Sequence, residues 1–73
     1  EHIVIANNII DTNTISIVMT SSNRSKQTYF TLSKIDKSIY KNIQVILLDD
    51  STIDPIKLEE LYKYNFYINF LLV

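Results

Sequence analysis

The chain has 73 residues, the size of one small domain or of part of one. It contains neither cysteine nor glycine, which excludes disulfides, thiol nucleophiles, the GxxxxGK[ST] phosphate loop and the GxGxxG dinucleotide fingerprint. Seven basic and eight acidic residues give a net charge of −1, without the basic excess that is typical of nucleic-acid binders.

Residues 1–14 are predicted to form a lead-in segment ahead of the main domain. Within it, residues 3–10 (IVIANNII) are apolar and β-branched around two asparagines, which indicates an edge strand or the tail of an upstream element. The DTNT sequence that follows indicates a turn, because Asp, Asn and Thr side chains bond their own backbone. We therefore place the main domain at residues 15–73.

A strand and a helix are predicted to open that domain. The run ISIVMT at residues 15–20 is continuously apolar or β-branched, as in a strand covered on both faces. A polar stretch rich in helix N-caps follows, and then an amphipathic helix from Ser25 to about Ser38. Its apolar stripe has helical spacing and consists of Thr28, Leu32, Ile35 and Ile39.

A second strand and a second helix are predicted next. The strand is NIQVILL at residues 42–48, and DDST ends it. Asp54 is expected to cap the following helix, with Pro55 in its first position. Ile53 and Leu58 have the spacing of a hydrophobic staple.

This second helix is expected to end near Tyr64, with Glu59 and Lys63 paired across one turn. A third strand follows at residues 67–73 (YINFLLV), and we expect it to present an unpaired apolar edge. The element order predicts an α/β, Rossmann-like βαβαβ unit with a parallel three-stranded sheet and flanking helices.

Two polar clusters are expected at one edge of that sheet. Residues 20–24 follow the first predicted strand and residues 49–52 follow the second. Ligands of such sheets lie beyond the carboxyl ends of the strands, and a carboxylate there can accept N–H groups of a base or sugar or hold a metal. The competing interpretation is that these residues only end a strand and cap a turn.

Both clusters together resemble a known family. ISIVMTSSNRSKQTYFTLSKI, followed by YKNIQVILLDDST and then by DP, is similar to the opening of a family 2 glycosyltransferase with a GT-A fold. That opening is an apolar strand ending in T-x-[YF]-N-[RK], a helix ending in S-x-x-x-[YF], and a strand ending in D-D-x-S. The resemblance covers residues 15–73 and implies the first part of a nucleotide-sugar-binding domain.

The resemblance assigns nucleotide-binding roles in the first cluster. The threonine that helps to hold the nucleotide falls on Thr20. The family's aromatic residue, which packs on the base, is replaced by Ser22. Asn23 and Arg24 match the polar end of the motif.

In the second cluster the two aspartates receive different roles. Asp50 falls on the residue that accepts the N3–H of a uracil-like base, and Asp49 is its structural partner within the site. Thr52 takes the place of the motif's serine hydroxyl.

The family holds the diphosphate through a divalent metal, Mn²⁺ or Mg²⁺, on a D-x-D motif, and no D-x-D occurs here. We therefore expect the metal ligands and the catalytic base to lie outside this chain, which would be an inactive piece of a longer transferase. The implied donor is a nucleotide-diphosphate sugar of the uridine type, and the acceptor is a glycan, protein or lipid. We expect no nucleic-acid partner and no membrane span, since no apolar run approaches about 20 residues.

Two other functions remain open. VILLDD is also typical of a receiver-like signalling module, in which Asp49 and Asp50 would hold Mg²⁺. Residues 67–73 contain no aspartate to be phosphorylated, which disfavours that alternative. A non-catalytic α/β interaction or scaffold domain is the third hypothesis, and the departure at Ser22 fits it.

Overall fold

The computed structural model describes residues 1–6, 10–38 and 42–73. These residues form four strands and two helices, which are β1 (His2–Ala6), β2 (Ile15–Ser21), α1 (Ser25–Asp36), β3 (Ile43–Asp49), α2 (Leu58–Leu61) and β4 (Tyr67–Leu72). The predicted α/β class is confirmed. Ile39, the last residue of the predicted helical stripe, lies outside the described residues.

The sheet has four strands in the order β1-β4-β3-β2 and is mixed. β3 pairs in parallel with both β2 and β4, whereas β1 runs antiparallel to β4. The prediction of a parallel three-stranded sheet was therefore wrong. The lead-in segment supplies the fourth strand, with Ile3 opposite Phe70 and Ile5 opposite Ile68. This pairing uses the backbone groups of β4 that we expected to be left free, so β4 is an interior strand.

One face of the sheet is covered and carries the core. Leu32 of α1 and the segment between β3 and β4 lie against it. Alternate residues of the central strands are buried there, as the period of two along a strand requires. The buried apolar residues are Ile5, Leu32, Ile43, Val45, Leu47, Ile56, Leu61, Tyr64, Phe66, Ile68 and Phe70.

The other face is open, which corrects the prediction that β2 is covered on both sides. Val18 of β2 is 70% exposed. Polar side chains form a ladder across this face: the Gln44 amide donates to the Ser16 hydroxyl, and the Asn69 amide donates to Gln44. The Nε2 atom of His2 lies 3.0 Å from the Asn69 Oδ1 atom and completes the ladder on β1. These bonds join all four strands.

The helix predicted to start at Pro55 is much shorter. α2 has four residues, and Lys57, not Asp54, occupies its N-cap position. Ile53 is 86% exposed, so the predicted staple does not form. Lys63 pairs with Glu60 at 3.3 Å instead of with Glu59. The physical reason is that the carboxylate of Asp54 accepts the Ser25 amide at the start of α1.

Candidate nucleotide-binding edge

The two polar loops lie side by side at the carboxyl edge of the sheet. Ser21 at the end of β2 is in register with Asp49 at the end of β3. The next backbone amide, that of Asp50, donates to the Ser21 carbonyl oxygen at 3.1 Å. Parallel pairing therefore brings residues 20–24 and 49–52 together, as the predicted strand order required.

Asp49 is a structural residue of the second loop. It is 0% exposed. One carboxylate oxygen accepts the Ser51 amide at 3.0 Å and also the Ser51 hydroxyl. The other oxygen accepts the Ile56 amide at 2.7 Å. Asp49 thus holds both ends of the turn after β3, and its carboxylate does not reach solvent.

Asn23 joins the first loop to the second. Among the described residues it alone has a positive φ, of 55°. Its Oδ1 atom accepts the backbone amides of Thr52 and Asp54 at 3.0 Å and of Ile53 at 2.8 Å. The backbone amide of Asn23 donates to the Ser51 hydroxyl at 2.7 Å. In this arrangement the Asn23 side chain is bonded within the protein.

The start of α1 is capped by the second loop. Arg24 occupies the N-cap position with a φ of −140° and gives no side-chain cap. The Asp54 carboxylate accepts the Ser25 amide at 3.0 Å and the Ser25 hydroxyl at 2.8 Å instead. These hydrogen bonds lower the pKa of the Asp54 carboxyl. The sequence held one signal for this cap: Arg24 stands at the N-cap position, and arginine cannot accept the amides at a helix start. The acceptor therefore has to come from another segment.

Two charged groups remain available at this edge. Asp50 and Arg24 are both exposed. Within residues 1–6, 10–38 and 42–73, neither the Asp50 carboxylate nor the Arg24 guanidinium forms a hydrogen bond or an ion pair. Within the described parts of residues 20–24 and 49–52, an unbonded carboxylate and an unbonded guanidinium therefore lie on neighbouring loops.

An open cavity of about 200 Å³ adjoins the first loop. The predicted site residues Thr20, Ser22 and Arg24 line it, and Asp50 does not. The cavity lies between the end of β2 and α1, where the Thr28 hydroxyl donates to Ser21 at 3.0 Å. Its other lining residues are Met19, Ser21, Gln27, Thr28 and Thr31.

The described residues contain no group of three or more histidines, aspartates or glutamates that could hold a metal ion. In the same part of the chain, no helix is long and apolar enough to cross a membrane. In comparisons with known proteins, no family model, no curated protein and no solved structure matched this chain.

Proposed function

We propose that this chain binds the nucleoside part of a nucleotide-diphosphate sugar, of the uridine type, within a family 2 glycosyltransferase. The observation that carries the proposal is the free Asp50 carboxylate at the carboxyl edge of the sheet, beside the loop of Thr20 and Ser22. In α/β sheets this edge is the usual ligand position. The resemblance to the GT-A opening supplies the class of ligand.

The free groups match the polar atoms of a uridine nucleotide. A carboxylate is an acceptor only, and the N3–H of uracil is a donor that an ionised Asp50 can accept. The hydroxyls of Thr20 and Ser22 both donate and accept, which suits ribose and the uracil carbonyls. Arg24 lines the same cavity and suits a phosphate oxygen. With Ser22 in place of an aromatic residue, the affinity comes from hydrogen bonds without base stacking at that position.

The metal of the proposed transferase finds no ligand set among the described residues. Asp49 is buried and already accepts hydrogen bonds from Ser51 and Ile56, which leaves Asp50 as a single carboxylate. A divalent cation generally takes several oxygen ligands. We therefore assign neither the metal, nor the catalytic base, nor an acceptor site to this chain.

The burial of Asp49 favours nucleotide binding over the receiver-like alternative. That alternative needs both carboxylates for Mg²⁺, but Asp49 is 0% exposed. Turning the Asp49 carboxylate toward a metal would leave the buried Ile56 amide without its acceptor, which costs free energy.

Titration of the ¹⁵N-labelled chain with uridine and with cytidine tests the proposal. Cytosine has a lone pair at N3 where uracil has a hydrogen, so the Asp50 carboxylate can accept the N3–H of uridine but faces a lone pair at N3 of cytidine. We expect uridine, but not cytidine, to shift the amide signals of residues 20–24 and 50–52. Asp50→Ala should abolish the shifts, and Glu59→Ala, which removes an exposed carboxylate on α2, should preserve them.

Equal shifts with both nucleosides, or uridine shifts that survive Asp50→Ala, would contradict the proposal. Mg²⁺ alone gives a separate comparison. Signals of residues 49–51 that move with Mg²⁺ and not with uridine would favour the receiver-like function.

A further inference from the structure

The loop that carries Asp50 takes its shape from a side chain of the neighbouring loop. Three successive amides, at residues 52–54, point at the single Oδ1 atom of Asn23. Converging backbone amides of this kind form a concave site that commonly holds an anion. Here the neutral oxygen of Asn23 fills it.

The backbone of Asn23 is adapted to this contact. Its φ of 55° lies in the left-handed region that glycine normally serves. Asparagine is among the few other residues that visit this region routinely. In a chain without glycine, Asn23 therefore supplies both the unusual backbone conformation and the acceptor atom.

Ile53 joins this loop through its backbone amide and not through packing of its side chain. Its side chain is 86% exposed, although burial of an isoleucine is favourable. The amide of the same residue is bonded to Asn23 at 2.8 Å. The loop thus keeps its hydrogen bonds to Asn23 while an apolar side chain stays in water.

Further bonds hold the ends of the loop. The Asp50 amide is bonded to Ser21 at its start, and the Asp54 carboxylate is bonded to Ser25 at its end. Between these points Asn23 also bonds the Ser51 hydroxyl, which in turn donates to Asp49. Asp50 is therefore held from both sides while its own carboxylate stays free.

From these contacts we infer that Asn23 is a positioning residue for the nucleotide site: it fixes the 50–54 loop so that the Asp50 carboxylate meets the base. This inference rests on the proposed function. It also replaces the nucleotide contact that the family resemblance implied for Asn23, because its Oδ1 atom already accepts three amides.

Two variants separate the side chain from the backbone. Asn23→Gly keeps the left-handed conformation and removes the acceptor, and Asn23→Asp keeps an acceptor of the same shape. Asn13→Gly is the matched control, since this exposed turn residue lies at the opposite end of the sheet and the new glycine retains its amide bond to Asp11. Asn13→Gly reproduces the gain in unfolded-state entropy that any new glycine brings.

Amide hydrogen exchange without ligand gives the first measurement. We expect Asn23→Gly to speed exchange at residues 52–54 by about tenfold or more, and expect Asn23→Asp and Asn13→Gly to leave it near the wild-type rate. Unchanged exchange in Asn23→Gly would overturn the inference.

Uridine titration of the same variants gives the second measurement. Asn23→Gly should weaken uridine binding about tenfold, and Asn23→Asp should restore it. If Asn23 had a purely structural role, uridine affinity would fall only as far as the stability of the fold falls. Wild-type affinity in Asn23→Gly would overturn the positioning role. If uridine fails to bind the wild-type chain, the proposed function fails, while the exchange rates still report whether Asn23 fixes the loop.

Discussion

The two ends of the sheet are built alike but finish differently. At the amino end, Asp11 accepts the Asn13 amide at 2.8 Å and the Asn42 side-chain amide at 2.9 Å. The Thr14 hydroxyl accepts the Asp11 amide at 2.8 Å and donates to Asn42 at 2.7 Å. This network closes on itself and leaves no charge over.

At the carboxyl end, a similar network of described residues includes neither the Asp50 carboxylate nor the Arg24 guanidinium. Asn23, Asp49 and Asp54 bond the loops to one another, as Asp11 and Asn42 do at the opposite end. In the described part of the chain, however, Asp50 and Arg24 have no partner. Polar side chains serve structure at both ends, and among the residues of these two described networks the carboxyl end has an unbonded carboxylate and an unbonded guanidinium.

The largest loss of stability is expected for Asp49→Ala at the carboxyl end. It removes the acceptor of the Ser51 and Ile56 amides and leaves the buried Ile56 amide without a partner. We expect the free energy of unfolding to fall by roughly 2–4 kcal/mol, since hydrogen bonds to a charged group are the strong ones. Urea denaturation measures this, and Asp49→Asn should lose less because it keeps one acceptor. A loss below about 1 kcal/mol in Asp49→Ala would mean that the turn does not depend on Asp49.

Acid should weaken both ends. Hydrogen bonds from Ser25 lower the pKa of Asp54, and those from Asn42 and Asn13 lower the pKa of Asp11. Each folded-state pKa lies below the unfolded value near 3.8, so each carboxylate stabilises the fold above that pH. This stabilisation is lost as the pH falls through the folded-state pKa.

Thermal unfolding between pH 2 and pH 7 checks this sign. Asp54→Asn and Asp11→Asn should each flatten the fall in Tm below pH 4, and the double variant should flatten it further. Glu59→Gln, an exposed carboxylate with no such bonds among the described residues, is the control and should leave the curve unchanged. A wild-type curve in Asp54→Asn would contradict the capping role of Asp54.

The smallest effect is expected for the two groups that are left over. Asp50→Ala and Arg24→Ala should change the free energy of unfolding by less than about 0.5 kcal/mol, because neither group is bonded within the described residues. Urea denaturation beside Asp49→Ala gives the contrast. A large loss in Asp50→Ala would show that Asp50 is structural, like its neighbour.

Local patterns predicted most of the elements. The β-branched runs became β2, β3 and β4, and the helical stripe containing Thr28, Leu32 and Ile35 became α1. The neighbouring positions of the two polar loops also followed, because parallel strands place their carboxyl ends at one edge.

The errors concern contacts between segments that are distant in sequence. Asp54 and Pro55 have the pattern of a helix start, yet Asp54 caps α1, 29 residues earlier. Asn23 has the pattern of a binding residue, and three amides of another loop use its side-chain oxygen. Spacing along the chain does not show whether such a side chain accepts amides of its own segment or of a distant one, because both kinds of amide satisfy it equally.

Local sequence patterns specified the segments that form β2, α1, β3 and β4, and the missing glycine and cysteine excluded particular chemistries. Those properties depend on backbone propensity and on the local period of apolar residues. The pairing of β1 with β4, the burial of Asp49 and the exposure of Asp50 depend on contacts between distant segments. Two adjacent aspartates are chemically identical, and it is the pleat of β3, turning Asp49 toward the core, that separates their roles.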